Sequence, residues 1–157
     1  MTATEIAERV QDYMDQEGIK YEYTPDNERP KIQTGFEVSC KLQSVKILIL
    51  FNEDGYSALG VCPISADEES RADVMDYLTR ANYGLRNGNF ELDLRDGEIR
   101  YKTYVCCYGM EPEYLTDEVI ERSIFMIPSM FKKYGNGIAA IAMGFSDPVT
   151  EIEKAEG

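Results

Sequence analysis

The sequence predicts an α+β domain: a twisted antiparallel sheet of about five strands with three helices, in the order α-βββ-α-ββ-α. Two observations predict this class. Several segments alternate apolar and polar residues and are joined by short turn sequences, which is typical of hairpins and therefore of an antiparallel sheet. Three further segments repeat apolar residues at helical spacing over more residues than a strand usually has. The 157 residues fit one domain, which we place at 1–145 with an acidic C-terminal tail at 146–157.

The first helix is predicted over residues 2–17. Thr2 and Glu5 match a capping box, in which a hydroxyl and a carboxylate satisfy free backbone N–H groups at the helix start. The apolar residues that follow repeat at helical spacing, so one side of this helix is expected to face a core. Gly18 is a typical C-terminal stop.

The first strands are predicted at residues 19–23 and 31–42, with Gly35 indicating a bulge or a bend in the second of them. A hairpin is then predicted over residues 44–62, because two apolar runs flank the turn sequence Asn-Glu-Asp-Gly at residues 52–55. Pro63 ends this part of the sheet.

Both faces of the 44–62 hairpin are apolar. One face of its first strand consists of Val45, Ile47, Ile49 and Phe51. The other face of the hairpin also has four apolar residues, namely Leu48, Leu50, Leu59 and Val61. A strand pair that is apolar on both sides requires cover on both sides, so we predict helices over one face and a partner protein or second subunit over the other. These last four residues are the predicted partner or dimer surface.

The second helix is predicted to begin at a capping box formed by Ser65 and Glu68, and to run to about Asn82. The last helix is predicted to start at Thr116 as N-cap and to continue through Pro128 and the Gly-Asn-Gly sequence, with a kink at the proline. Fraying or a break at the glycines is the alternative. Its apolar stripe keeps helical spacing over Ile120, Ile124, Ile127, Phe131, Tyr134, Ile138, Ile141 and Phe145.

A second hairpin is predicted over residues 88–107, because Asp96-Gly97 is a typical two-residue type I′ turn. Such a turn sets Leu92 opposite Tyr101 and keeps the apolar residues of both strands on one face. The other face would then have three opposite-sign pairs, namely Arg95 with Glu98, Asp93 with Arg100 and Glu91 with Lys102.

The composition excludes several function classes. With 16 basic against 29 acidic residues, the net charge of −13 disfavours binding to nucleic acid or to anionic membranes. It favours a protein partner with a basic or amphipathic segment, although a high net charge also simply keeps a small protein soluble. No apolar run is long enough to span a membrane, and no signal peptide is recognisable, so a cytoplasmic protein is expected.

No catalytic, metal-binding or cofactor-binding motif is present. The chain has no histidine, which excludes the usual Ser-His and Cys-His nucleophile arrangements. The four cysteines form no C-x-x-C pair, so we interpret them as reduced thiols and predict no metal. Neither glycine-rich nucleotide-binding motif occurs, so no cofactor is predicted.

Three stretches nevertheless resemble a known family: residues 81–85 (ANYGL), 88–93 (GNFELD) and 96–101 (DGEIRY). They are similar to the core signature of YbjN-like proteins, which are described as putative bacterial sensory-transduction regulators. The resemblance covers roughly residues 3–145 and implies a fold like that of type III secretion chaperones. Those chaperones are small, acidic and commonly dimeric, and they hold extended partner segments on apolar patches. The resemblance implies no catalytic residues.

Two functions follow as hypotheses. The first is a non-enzymatic, homodimeric interaction module, a regulator or chaperone-like protein that binds a segment of a partner protein; a type III secretion chaperone proper is a special case. The alternative is a small-ligand-binding protein or enzyme with a pocket between the sheet and the C-terminal helix, near Tyr101, Tyr104 and Cys106.

Overall fold

The computed structural model describes residues 1–157 and shows one open antiparallel sheet of six strands. The strand order across the sheet is β1-β2-β3-β4-β6-β5, so β1 and β5 are the edges. Because every neighbouring pair is antiparallel, consecutive strands are joined by hairpins except where a helix intervenes between β4 and β5. The strands are β1 (Glu22–Thr24), β2 (Lys31–Glu37), β3 (Ser44–Asn52), β4 (Gly55–Val61), β5 (Asn89–Leu92) and β6 (Ile99–Cys106).

Four helices accompany the sheet: α1 (Ala3–Gln16), α2 (Arg71–Asn82), α3 (Asp117–Ala142) and α4 (Pro148–Glu156). The predicted α+β class is confirmed, with one strand and one helix more than the predicted count. The sixth strand is counted because the short segment predicted at residues 19–23 does pair with β2, as β1. The additional helix is α4, which forms within the acidic tail and packs on α2 and α3, where the Tyr134 hydroxyl donates to Glu156 Oε1 at 2.7 Å.

The first helix forms as its sequence predicts. The Thr2 N–H donates to Glu5 Oε2 at 2.7 Å and the Glu5 N–H donates to Thr2 Oγ1 at 3.2 Å, which completes the capping box. The hydrogen bonds lower the pKa of the Glu5 carboxyl, because they favour its charged form. Gly18 follows the helix with a φ of +68°, a conformation that glycine adopts without steric cost.

The second helix starts five residues later than predicted, with Ser70 instead of Ser65 as N-cap, although it ends at Asn82 as expected. The Ala66 N–H donates to the Gly97 carbonyl at 2.8 Å, and Arg71 Nη2 donates to the Ala66 carbonyl at 3.1 Å. The first bond ties the Ala66 backbone to the turn between β5 and β6. The Asp67 carboxylate accepts from the Ser70 N–H at 2.8 Å, and the residues just before Arg71 form turns ahead of the helix.

The β5–β6 register differs from the prediction by two residues. Leu92 pairs with Ile99 instead of Tyr101, and residues 93–98 form the connection. Asp93 organises this longer turn, since its carboxylate accepts from the Arg95 N–H at 2.9 Å and its carbonyl accepts from the Gly97 N–H at 2.7 Å. A type I′ turn needs positive φ at both central residues, and of Asp96 and Gly97 only the glycine has it.

The long helix α3 runs without interruption through its glycines, and two of these glycines make room for other elements. A Cβ at Gly137 would lie 2.2 Å from the Tyr77 hydroxyl, and one at Gly135 would lie 2.8 Å from Cys40 Sγ. The helix ends at Ala142, before Phe145, and Phe145 is 80% exposed. The prediction that Phe145 belongs to the buried stripe is therefore wrong.

The core lies between the helices and one face of the sheet. The Phe90 ring on β5 meets the rings of Tyr101, Phe131 and Tyr134, with centroid distances of 4.9, 5.6 and 5.7 Å. On β4, Gly60 allows α3 to approach so closely that a Cβ there would lie 2.1 Å from Ile127 Cγ2. No helix of the structure is both long and apolar enough to cross a lipid bilayer.

Candidate functional site

The two faces of the β3–β4 hairpin differ in burial, and this defines a candidate surface. On β3, the residues directed toward the helices are buried, whereas the alternating ones are exposed or half-buried. Gly60 identifies the helix-covered side of β4, because it lies against Ile127 and Phe131 of α3. The strand residues of opposite parity point away from the helices. We call this side of the sheet the open face.

All four predicted surface residues lie on the open face. Leu48 on β3 is the direct partner of Leu59 on β4, so their side chains are neighbours. Leu50 is two residues further along β3, and Val61 is two residues further along β4 in the opposite direction. The apolar patch formed by Leu48, Leu50, Leu59 and Val61 therefore runs diagonally over both strands.

The four residues are not equally accessible. Leu50 is 40% exposed, and Leu48 and Val61 are half-buried. Leu59 is only 6% exposed, although it lies on the open face, because its neighbours on both sides are the long side chains of Leu48 and Lys102. The accessible surface of the patch therefore comes from Leu48, Leu50 and Val61, and Leu59 contributes little to it.

Basic residues surround this patch. Lys31 lies opposite Leu50 on β2, Lys46 and Arg100 lie on either side of Val61, and Lys102 lies beside Leu59. The open face holds every charged residue of the six strands, namely Glu22, Lys31, Glu37, Lys46, Glu91, Arg100 and Lys102. Basic residues therefore outnumber acidic ones here, whereas the whole chain has 16 basic and 29 acidic residues.

Two of the basic residues share a single carboxylate. Glu91 on β5 accepts from Arg100 Nε at 2.8 Å and from Lys102 Nζ at 3.1 Å. Partial burial of the Glu91 carboxyl acts to raise its pKa, but the hydrogen bonds from Lys102 and Arg100 outweigh this and lower the pKa below its usual range. Lys31 and Lys46 form no salt bridge.

Gly35 on β2 lies near a depression beside the patch. It lies opposite Lys46 in an unbroken β2–β3 register, so the bulge predicted there does not form. An open hollow of about 400 Å³ lies near the β1–β2 edge, and its walls include Lys20, Glu22, Gln33 and Lys46. The open face thus has an apolar patch, a basic border and a shallow hollow next to each other.

Apart from Glu91, Arg100 and Lys102, the residues singled out in and beside the other hairpin have structural roles. Gly88 has a φ of +83°, and a Cβ there would lie 2.5 Å from the Lys102 carbonyl oxygen. The Tyr101 hydroxyl donates to the Asn87 carbonyl at 2.7 Å and so holds the chain before β5. The side chain of Asn82 accepts from the Phe90 N–H at 2.7 Å and donates to the Phe90 carbonyl at 3.0 Å.

Asn82 thereby covers the free edge of β5. Its amide bonds both backbone groups of Phe90 in the way that a neighbouring strand would, which blocks strand addition at that edge. Sequence reasoning assigned no role to this residue. Two signals could have indicated it: its position at the end of α2, next to the connector into β5, and its place in the 81–85 stretch that carries the family resemblance.

The residues proposed for a ligand pocket do not converge. Tyr101 is buried on the helix-covered face, whereas Tyr104 and Cys106 lie on the open face and are exposed. Between β4 and α3, the side chains of Ile127 and Phe131 lie directly against Gly60. Cys62 is buried, and burial raises the pKa of its thiol to about 11, so the thiol stays protonated at neutral pH.

A family model matches residues 7–140 of the chain, which is most of its length, and its description is YbjN, "Putative bacterial sensory transduction regulator". The matched residues include all six strands, α2, nearly all of α3 and the larger part of α1. No curated protein and no solved structure matches the chain. The resemblance to type III secretion chaperones therefore stays a prediction.

Proposed function

Because the chain belongs to the YbjN family, whose members are described as putative bacterial sensory transduction regulators and not as enzymes, we propose that it is a non-enzymatic protein-interaction module. Its working surface is the apolar patch on the open face, where a segment of a partner protein or a second copy of the chain binds. The observation that supports this most directly is the position of Leu48, Leu50, Leu59 and Val61 together on the one side of the sheet without helices.

Burying this patch against another protein surface is energetically favourable. Removing apolar surface from water contributes roughly 25 cal/mol per Å², so an exposed Leu50 beside Leu48 and Val61 is a favourable contact for any matching surface. A row of aliphatic side chains at the centre of a sheet face is also typical of interaction sites. The edge of β5 offers no comparable opportunity, because Asn82 already occupies it.

The test is the double variant Leu48→Asp/Leu50→Asp. Two carboxylates in the patch would oppose burial there, so we expect loss of any protein captured by the wild type or loss of self-association. Oligomer size is measured by light scattering after size exclusion. Capture is measured by affinity purification from the native host with quantitative mass spectrometry.

The matched control is Met75→Asp/Val119→Asp. Both control residues are exposed apolar side chains on helices, at 47% and 40% exposure, so the variant makes the same change in charge and polarity on the helical side. If both variants keep the oligomer size and the captured proteins of the wild type, the open face is not the working surface. If the control alone loses them, the surface lies on the helices.

A further inference from the structure

We propose that the open face binds an acidic amphipathic segment of another protein, that is, a segment in which carboxylate side chains accompany apolar ones. This rests on the proposed function and adds the chemistry of the occupant. The apolar patch accounts for the apolar side chains, and the basic border accounts for the carboxylates.

The positions of the basic residues support the proposal. Lys31 flanks the patch on β2, next to Leu50, and Lys46 flanks it at the opposite corner, next to Val61. Arg100 and Lys102 close the side toward β6. A segment lying over Leu48 and Leu50 would therefore have an ammonium or guanidinium group on each side, close enough to pair with acidic side chains of the segment.

Two of these groups are available for a new ion pair. Lys31 and Lys46 form no salt bridge within the chain. Arg100 and Lys102 share the single carboxylate of Glu91, which leaves their combined charge only half balanced. Desolvating this border against an apolar or basic surface would be unfavourable, whereas carboxylates would compensate it.

A second copy of the chain fits the same face less well. A two-fold contact places identical surfaces against each other, so the four basic residues around the patch of one copy would meet those of the other. The strands of each open face have only three carboxylates to balance them, and that of Glu91 is already shared by Arg100 and Lys102. Like charges brought together in this way are costly. The charge of −13 on the whole chain repels an acidic segment at long range, but salt screens this beyond about 8 Å at physiological ionic strength.

The experiment selects the occupant without assuming its sequence. A phage library of short random peptides is selected on immobilised wild-type protein in physiological salt, and binders that also attach to the Leu48→Asp/Leu50→Asp variant are discarded. We expect the remaining peptides to be rich in Asp and Glu together with Leu, Ile or Phe. A synthetic copy of the most enriched peptide is then titrated by fluorescence anisotropy.

Two variants distinguish an effect of the basic border from an effect of the overall charge of the protein. Lys31→Gln/Lys46→Gln should weaken binding of the synthetic peptide by about threefold to tenfold, the range expected for two partly exposed ion pairs. Arg122→Gln/Lys132→Gln removes the same charge from exposed positions on α3 and should leave the affinity unchanged. Higher salt should reduce the difference between the two variants.

The outcomes distinguish this inference from the proposed function. One contrary result is a set of selected peptides that need the patch and yet are basic or uncharged. Another is a set that binds Lys31→Gln/Lys46→Gln as tightly as the wild type. Either result shows that the occupant is not an acidic segment, and leaves the open face as the working surface. A wild-type dimer that Leu48→Asp/Leu50→Asp dissociates identifies a second copy as the occupant and also overturns the inference. If no peptide distinguishes the wild type from that variant and the size is unchanged, both proposals fall.

Discussion

The helix-covered face and the open face of the sheet are built from the same six strands but have opposite characters. The covered face has no charged strand residue and packs so tightly that Gly60 touches α3. The open face has an apolar patch with a basic border and no helix over it. Folding free energy therefore comes mainly from the first face, which leaves the second free to change its residues for binding. Paired substitutions on the two faces test this division.

The largest difference is expected between Phe131→Ala and Leu50→Ala. The Phe131 side chain is fully buried and meets the Phe90 ring at 5.6 Å, so its removal leaves a cavity and should lower the free energy of unfolding by about 3–5 kcal/mol. Leu50 is 40% exposed, and its truncation should cost about 1 kcal/mol or less. Equilibrium urea unfolding of both variants measures the difference.

Similar losses in the two variants would contradict this division. A loss for Leu50→Ala as large as that for Phe131→Ala would mean that the patch is covered in the isolated protein, for example by a second copy. Repeating the measurement over a range of protein concentrations identifies that case, since the stability of a dimer depends on concentration.

A smaller difference is expected between two tyrosines. The Tyr56 hydroxyl is buried and lies 2.8 Å from Ser123 Oγ, so Tyr56→Phe removes a hydrogen bond inside the core and should cost about 1 kcal/mol. Tyr104 is 48% exposed on the open face and donates to the Asp54 carbonyl at 3.3 Å. Tyr104→Phe should change the free energy of unfolding by less than about 0.5 kcal/mol. Both variants are measured by thermal and urea unfolding, and an equal loss of stability in Tyr56→Phe and Tyr104→Phe would contradict this expected difference.

Alternation within the strands made the open face predictable. Residues of one parity in β3 point to the same side whatever the rest of the chain does, so Leu48 and Leu50 could be grouped from the sequence. The β5–β6 hairpin kept its predicted faces for a related reason, since a slip of two residues preserves parity. Its register was wrong because Asp93 stabilises a longer turn than Asp-Gly alone suggests.

Features that depend on distant contacts were not predictable. The late start of α2 accompanies the bond between Ala66 and Gly97, and the need for a glycine at position 137 arises from the close approach of Tyr77. The basic border was missed because the charge of −13 averages over helices and loops, where the acidic residues are concentrated. That average predicts a basic partner, whereas the open face itself favours an acidic one.

The smallest effect is expected at the border, where Glu91 holds Arg100 and Lys102. Its lowered pKa means that the folded state favours the carboxylate, so the pair stabilises the fold above the unfolded pKa of about 4.5 and loses this as pH falls through the lower folded pKa. Glu91→Gln should therefore cost up to about 1 kcal/mol at pH 7 and nothing in strong acid. Glu153→Gln, at an exposed position on α4 without a salt bridge, is the control. A difference between wild type and Glu91→Gln that stays constant from neutral to acidic pH would show that the side chain acts by packing and not by charge.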